Sequence, residues 1–302
     1  MYRPRIGFVS NIIVGEDKLY YRTSKLASIE KKGLDKIIDV YGSNISTAEQ
    51  IVRYCANNGI SYYRMGTLFP FSGHEAIGNF DYIKYFDDQL YELGQLIKVK
   101  DIRISFHASE FCVLNSKNPK VVKNSITELV NTVKIIEKLE LPEHNKIIVH
   151  TGSSEGGIPD SLKRFADVFS KFDDSIKKRI TLENDDRIFS FAKVYEIYKL
   201  CGIPLTIDIF HHRVLNPEKW EELKSLKMAI DTWAGMIPET HYSCQSLTKD
   251  KKGAHSESID VESLLDLFDK TKDLSYDVML EVKNMNASAE AILLQMQNYY
   301  KN

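Results

Sequence analysis

Short apolar runs alternate with amphipathic stretches along the whole sequence of 302 residues, and this alternation predicts an α/β fold. The runs are almost continuously apolar, as in parallel strands that are buried on both faces. Eight βα units in a chain of this length predict a (β/α)8 TIM barrel. No linker or repeat divides the sequence, so we expect one domain that spans residues 1–302.

The predicted strands are rich in β-branched and aromatic residues. They cover residues 5–9, 60–65, 102–107, 146–151, 179–183, 204–208, 238–243 and 277–282. Helical spacing of apolar residues predicts helices over 45–57, 82–98, 119–139, 161–172, 192–201 and 261–268. Residues 11–44 are expected to form a long loop after the first strand. An open doubly wound sheet is disfavoured because no glycine-rich phosphate loop follows the first strand.

Composition limits the classes of function. The sequence has 40 Lys and Arg against 42 Asp and Glu, so binding to nucleic acid would need a local basic surface. Its four cysteines are far apart and form no CxxC pair, which is typical of reduced thiols and excludes a zinc ribbon. We find neither a signal-peptide pattern nor an apolar run of about 18 residues, and we therefore expect a cytoplasmic protein without a membrane partner.

Most of the predicted strands end in residue types that bind metals. The C-terminal ends of the strands of a parallel barrel meet on one face, where such barrels place their active sites. Imidazoles and carboxylates crowded there would repel one another or titrate unless cations compensated them. The residues are His107, His150, Glu183, Asp208, His211, Glu239, His241 and Glu281, together with His255 from the loop after the seventh strand.

This set predicts two or three divalent metal ions, because it exceeds the four ligands of a tetrahedral zinc site. Mixed nitrogen and oxygen ligands favour Mn²⁺ first, with Zn²⁺, Co²⁺ and Mg²⁺ as alternatives. Metal clusters of this kind hydrolyse phosphodiesters. Arg64, Lys251 and Lys252 would place cations beside a DNA backbone.

Motifs in the same order and spacing as these residues resemble those of the UV damage endonucleases over nearly the whole chain. They include Tyr63-Arg-Met-Gly66, Ser105-Phe-His107, Leu182-Glu-Asn-Asp-Asp-Arg187, Asp208-Ile-Phe-His-His212, Gly253-Ala-His255 and Leu280-Glu-Val-Lys283. The resemblance implies a metal-dependent TIM-barrel repair nuclease that cuts damaged double-stranded DNA immediately 5′ of pyrimidine dimers, 6-4 photoproducts and abasic sites. The cut leaves a 3′-hydroxyl. The implied metal ligands are His107, His150, Glu183, Asp208, His211, His241, His255 and Glu281.

The resemblance also implies roles for individual residues. Glu183 and Glu281 would hold or bridge the ions in catalysis. Lys283 and His74 are at motif positions close to this centre, where they are expected to tune cleavage. Asn11 follows the first strand and is a candidate DNA contact.

The sequence departs from its relatives at two places. Many relatives have Gln-Tyr three residues after the first ligand histidine, whereas this chain has Glu110 and Phe111. Phe111 keeps an aromatic face for stacking, but Glu110 lacks the amide donor and adds negative charge beside DNA, so we expect a narrower or altered lesion preference. Glu239 replaces a lysine, and we expect its carboxylate to ligate or bridge metals.

Three other functions are compatible with the same pattern. An endonuclease IV-like abasic-site endonuclease has a similar barrel and three-metal cluster. A xylose isomerase-like sugar isomerase combines a barrel with histidine and carboxylate ligands. A lesion-binding protein without catalysis is the third. We expect the protein to be a monomer.

Overall fold

The computed structural model describes residues 2–15, 17–72 and 77–299. In chain order the strands are β1 Ile6–Val9, β2 Ile12–Val14, β3 Asp17–Leu19, β4 Tyr62–Arg64, β5 Arg103–His107, β6 Ile147–His150, β7 Ile180–Glu183, β8 Leu205–Thr206, β9 Glu239–Tyr242 and β10 Asp277–Leu280. The helices are α1 Leu26–Lys32, α2 Leu34–Asn57, α3 Tyr82–Tyr85, α4 Asp87–Val99, α5 Pro119–Lys138, α6 Ile158–Ser170, α7 Asp174–Lys177, α8 Phe191–Cys201, α9 Ile209–Val214, α10 Glu222–Asp231, α11 Val261–Lys270 and α12 Asn286–Tyr299.

Eight parallel strands form the main sheet, in the order β8-β7-β6-β5-β4-β1-β10-β9. Its two edges meet where Asp208 pairs with His241 in a parallel bridge and the His241 amide donates to the Ile207 carbonyl at 2.9 Å. Helices cover the outside of this nearly closed barrel. The predicted (β/α)8 class is therefore confirmed, and each predicted strand segment contains one of the eight strands.

The prediction of a loop over residues 11–44 was wrong. β2 and β3 pair as an antiparallel hairpin, and α1 follows them. Helix α2 already begins at Leu34, because Ile37, Val40 and Tyr41 extend its buried face by two turns ahead of the predicted start.

Alternate residues of the barrel strands point into its interior and build it in layers. At the N-terminal end, the Arg103 guanidinium donates to Asp277 Oδ2 at 2.8 Å and lies over the rings of Tyr62 and Trp233. The same alternation places the last residues of β5, β6 and β7, together with His241 of β9, inside the opposite mouth. Of the helices that the described residues form, none has the length and apolar character needed to cross a membrane.

Candidate metal centre

Glu183, the last residue of β7, lies at the middle of the barrel mouth and is 1% exposed. Its Oε2 atom is 3.2 Å from His107 Nε2 and 3.5 Å from His150 Nε2. Its Oε1 atom is 2.6 Å from His241 Nδ1. One buried carboxylate thus contacts imidazoles from three different strands.

Two groups of potential metal ligands share this carboxylate. In each group the ligand atoms lie within 4.8 Å of one another. The first group is His107, His150 and Glu183, and the second is Glu183, Asp208, His241 and Glu281. His211 and His255 lie beside them, with ring centroids 5.6 Å apart. The structure therefore brings together the eight ligands that the resemblance implied.

Hydrogen bonds at Nδ1 orient three of the five imidazoles. A backbone carbonyl only accepts, so each Nδ1 carries a proton, and in the neutral imidazole Nε2 is the nitrogen whose lone pair can bind a metal. Metal-binding histidines in proteins are held in this way. The bonds run from His107 to the Ala108 carbonyl at 2.7 Å, from His211 to Asn184 at 3.1 Å and from His255 to Glu281 at 2.6 Å.

The position of Asp208 at the start of α9 orients its carboxylate in the site. It is the N-cap of α9, and its Oδ1 atom accepts from the His211 amide at 2.7 Å, which places both residues of the Asp-x-x-His segment at the mouth. Its Oδ2 atom is buried and, among the described residues, has no hydrogen-bond partner, although His211 Nδ1 lies 3.5 Å away. An orphaned buried carboxylate oxygen is costly, and a metal ion would satisfy it. The donor set therefore fits divalent cations.

Asn184 is a site residue that the sequence reasoning missed. Its side chain forms two bonds with the backbone of Asp208, accepting from the amide at 2.9 Å and donating to the carbonyl at 3.0 Å. It therefore fixes the loop on which Asp208 and His211 are presented. Its position directly after the ligand Glu183, at a strand end, is the sequence signal that could have identified it.

Glu239 lies in neither ligand group, and its expected ligation stays a prediction. Strand alternation places it one layer below His241, and its Oε1 atom is 3.1 Å from His241 Nε2. His241 therefore has Nδ1 directed at Glu183, whereas its Nε2 lies beside both Glu239 and Arg64 Nη2, the latter at 2.5 Å. This is the arrangement in which a carboxylate orients a metal-binding imidazole.

Arg64 lies inside the cluster and not on the outer surface, since it is 4% exposed. Its Nη1 atom donates to Glu281 Oε1 at 2.5 Å, and its Nη2 atom is 3.7 Å from Glu239 Oε1. The guanidinium balances two buried carboxylates. Its predicted contact with DNA stays a prediction, and the structure adds this internal role.

The cluster shifts the pKa values of its own members. Burial would raise the pKa of Glu183, but His241 and His150 lower it well below its usual range. Burial lowers the pKa of imidazoles, yet the carboxylates around His211, Asp208 first, raise its pKa to about 9. Glu183 likewise outweighs burial and raises the pKa of His241 to about 10. Without metal, both imidazoles are therefore protonated on both ring nitrogens and positively charged at neutral pH.

The other predicted site residues surround the mouth. Lys283 pairs with Glu257 and lines a cleft of about 580 Å³ together with Asn11, Arg64 and His107. Glu110 and Phe111 are exposed on the loop after β5, and Lys251 and Lys252 are exposed on the loop after β9. His74 lies outside the described residues. The DNA contacts of these side chains stay predictions.

The fold and the site define a TIM-barrel protein whose strand ends carry a histidine–carboxylate cluster suited to metal ions. The family model described as UV-endonuclease UvdE matches residues 4–301, and the chain belongs to this family.

Two similar proteins and one similar barrel illustrate this relationship. A UV DNA damage endonuclease of Clostridium perfringens is 32% identical over 272 residues, which are 89% of this chain and 66% of that relative, slightly under two thirds of its length. The crystal structure of SacUVDE covers 99% of this chain and 100% of that chain, with a TM-score of 0.90 and 29% identity. An L-ribulose 3-epimerase is similar with a TM-score of 0.57 and 16% identity, over 83% of this chain and 88% of that chain, which shows the shared fold alone.

Binding of divalent metal at pH 7 should release about two protons per chain, because neutral imidazoles bind metals whereas His211 and His241 are protonated in the metal-free protein. Metal affinity should therefore rise with pH until about pH 10, the pKa of His241. Titration calorimetry with Mn²⁺ in buffers of different ionisation enthalpy measures this release. A binding enthalpy that does not depend on the buffer would contradict it.

Replacement of Glu239 should weaken metal binding without removing a ligand. We expect Glu239→Leu to lower metal affinity about 10–100-fold, since His241 loses the acceptor that orients it, and Glu239→Gln to have a smaller effect. Calorimetry and elemental analysis after dialysis measure affinity and stoichiometry, with the exposed Glu257→Gln as the control. Loss of a whole ion from the Gln variant would instead show that Glu239 is a ligand.

Proposed function

We propose that this protein is a metal-dependent DNA repair endonuclease, which acts as a cytoplasmic monomer. It nicks the backbone immediately 5′ of UV photolesions, namely pyrimidine dimers, 6-4 photoproducts and abasic sites, and leaves a 3′-hydroxyl. The observation that carries the proposal is the shared Glu183 carboxylate, around which a member of the UV-endonuclease family assembles two groups of metal ligands.

Two or three divalent ions, with Mn²⁺ as the first candidate, fit these residues. The first group offers two imidazoles and a carboxylate, the second offers three carboxylates and an imidazole, and His211 and His255 add further nitrogen ligands. When bound, such ions activate water and stabilise the charge that develops on a phosphate during displacement. Glu183 belongs to both groups, so it is placed to set the spacing between ions.

Several residues of the chain prepare the site for a phosphate. Arg64 is ion-paired with Glu281, which, against the effect of burial, lowers the pKa of that carboxyl to about 2 and keeps it ionised. The cleft beside the ligands offers the amide of Asn11 and the ammonium of Lys283 to a DNA backbone. Lys251 and Lys252 add exposed positive charge next to the His255 loop. A duplex can thus approach a negatively charged cluster along a locally basic surface.

Incision of a defined duplex tests the proposal. We expect a metal-dependent nick directly 5′ of a single photoproduct on an end-labelled strand, with Mn²⁺ present and not with EDTA, and extension of the product by a polymerase. Glu183→Gln should lower the rate by at least about a hundredfold, because it removes a ligand shared by both groups and even supporting residues contribute 10–100-fold.

Duplexes with an abasic site and without damage are the controls for substrate. Cutting at the abasic site alone would favour the endonuclease IV-like activity. No cutting of any duplex under Mn²⁺, Zn²⁺, Co²⁺ or Mg²⁺ would contradict the proposal and favour the sugar isomerase or the lesion-binding protein.

The lesion range should depend on Glu110 and Phe111. A carboxylate beside DNA repels phosphates and lacks the amide donor, so Glu110→Gln with Phe111→Tyr should broaden cleavage among cyclobutane dimers, 6-4 photoproducts and abasic sites. Relative kcat/KM for the three lesions measures the change. The single variant Glu110→Gln tests the effect of the negative charge, and Phe111→Tyr tests the effect of the added hydroxyl. Equal cleavage of all three by the original chain, unchanged in the double variant, would contradict this expectation.

A further inference from the structure

Several loops at the barrel mouth carry exposed apolar side chains. Ile13 and Tyr20 follow β1, Phe111 follows β5, Ile188 follows β7 and Leu247 follows β9. Leu247 is 100% exposed and Phe111 is 77% exposed, and both stand out from the others. Single exposed leucines are common on protein surfaces, so the surroundings of Leu247 must decide what it does.

The loop that carries Leu247 is held in a defined shape. Gln245 and His255 pair in an antiparallel bridge, and the Ser246 amide donates to the Ala254 carbonyl at 2.7 Å. The Gln245 side chain also accepts from the Gly253 amide at 3.0 Å. This short hairpin, residues 245–255, is called the Leu247 loop below.

A neighbouring loop supports the Leu247 loop from the side. A Cβ atom built on Gly253 would lie 2.2 Å from Asp186 Oδ2, so the loop after β7 packs directly on this glycine. Gly253 has a φ of +82°, which a glycine adopts without strain. The hairpin is thus held in place while Leu247 is fully exposed to water. A fixed and exposed apolar side chain is suited to bind a partner.

Charge indicates which partner fits. Within the Leu247 loop, three exposed lysines, Lys249, Lys251 and Lys252, outnumber the carboxylate of Asp250, and Asp186 of the neighbouring loop adds one more carboxylate beside Gly253. A partner with anionic edges and an apolar interior matches this combination, and duplex DNA has both in its phosphates and stacked bases. His255 ends the same loop among the metal ligands, so the loop has a fixed position relative to the centre.

Barrel topology sets the place of Leu247 relative to Phe111. In the order β8-β7-β6-β5-β4-β1-β10-β9, closed between β8 and β9, strands β5 and β9 are separated by three strands in either direction. The two most exposed apolar side chains of the mouth therefore rise from loops on opposite sides of the metal centre.

We propose that Leu247 inserts into the base stack of the damaged duplex as a wedge, on the side of the centre opposite Phe111. The proposal rests on the proposed function, since it needs DNA at this mouth. Unstacking a base step costs a few kcal/mol, and an apolar side chain in the gap offsets part of that cost. The three lysines bind the adjacent phosphates and bring the leucine to the stack.

The test uses the metal-loaded protein and a lesion duplex with 2-aminopurine next to the lesion. Its fluorescence rises when the base unstacks, before the strand is cut. We expect Leu247→Ala to reduce this rise and to lower single-turnover kcat/KM about tenfold, because the variant loses most of the apolar surface that the leucine would bury between bases. Leu247→Met should retain both. Leu200→Ala is the matched control, because Leu200 is 56% exposed on α8 and away from the mouth.

A second substrate separates wedge insertion from general contact. When mismatched bases face the lesion, unstacking costs less, so the defect of Leu247→Ala should shrink to about threefold or less. Lys251→Ala with Lys252→Ala should weaken binding to all duplexes equally and reduce the salt slope by about 1.8.

Two results would overturn the wedge: a Leu247→Ala variant with normal fluorescence and normal incision, or an equal loss on paired and mismatched duplexes. Failure of the proposed function is a different result. In that case the original chain itself cuts no lesion duplex, and both proposals fall together.

Discussion

The organisation of the mouth depends on one constraint, the burial of the Glu183 carboxylate at the centre of the barrel. A carboxylate with 1% exposure is costly unless opposite charges and hydrogen-bond donors surround it. Imidazoles of β5 and β6 supply two of those contacts from neighbouring strands of the sheet. The imidazole of β9 supplies the third because the sheet closes between Asp208 and His241, so the second ligand group depends on closure of the barrel.

Charge balance extends below the ligands, in layers that follow the strand alternation. Arg64 neutralises Glu281 and Glu239 close to the mouth, and Arg103 pairs with Asp277 at the other end. Both of these buried guanidiniums are thus paired with carboxylates that lie in β9 or β10 or directly after β10. The arrangement explains why Arg64 is withdrawn from the surface. Its charge is needed inside, where a guanidinium that lost its partners would be far more costly than on the surface.

The sequence could predict the strands and their terminal ligands because both signals are local. A buried strand is a continuous apolar run, and a polar residue that ends it stands out. The hairpin of β2 and β3, helix α1 and the early start of α2 were missed, since their apolar residues pack on surfaces made by distant elements. Asn184 and the position of Glu239 were also missed. Both depend on which neighbours a side chain meets across strands, and that information appears only when the barrel closes.

The barrel mouth holds a carboxylate-rich cluster, yet the proposed substrate is a polyanion. The ligand cluster is rich in carboxylates, so a polyanion would be repelled unless cations reduced its charge. Arg64, Lys283 and the lysines of the Leu247 loop reduce that repulsion within the chain, and metal ions would do so further. Exposed apolar side chains such as Phe111 would add an attraction to the bases of DNA, and salt does not screen this attraction. Under the proposed function, this division would select distorted DNA, because phosphate contacts treat all duplexes alike whereas the proposed wedge contact requires a stack that opens cheaply.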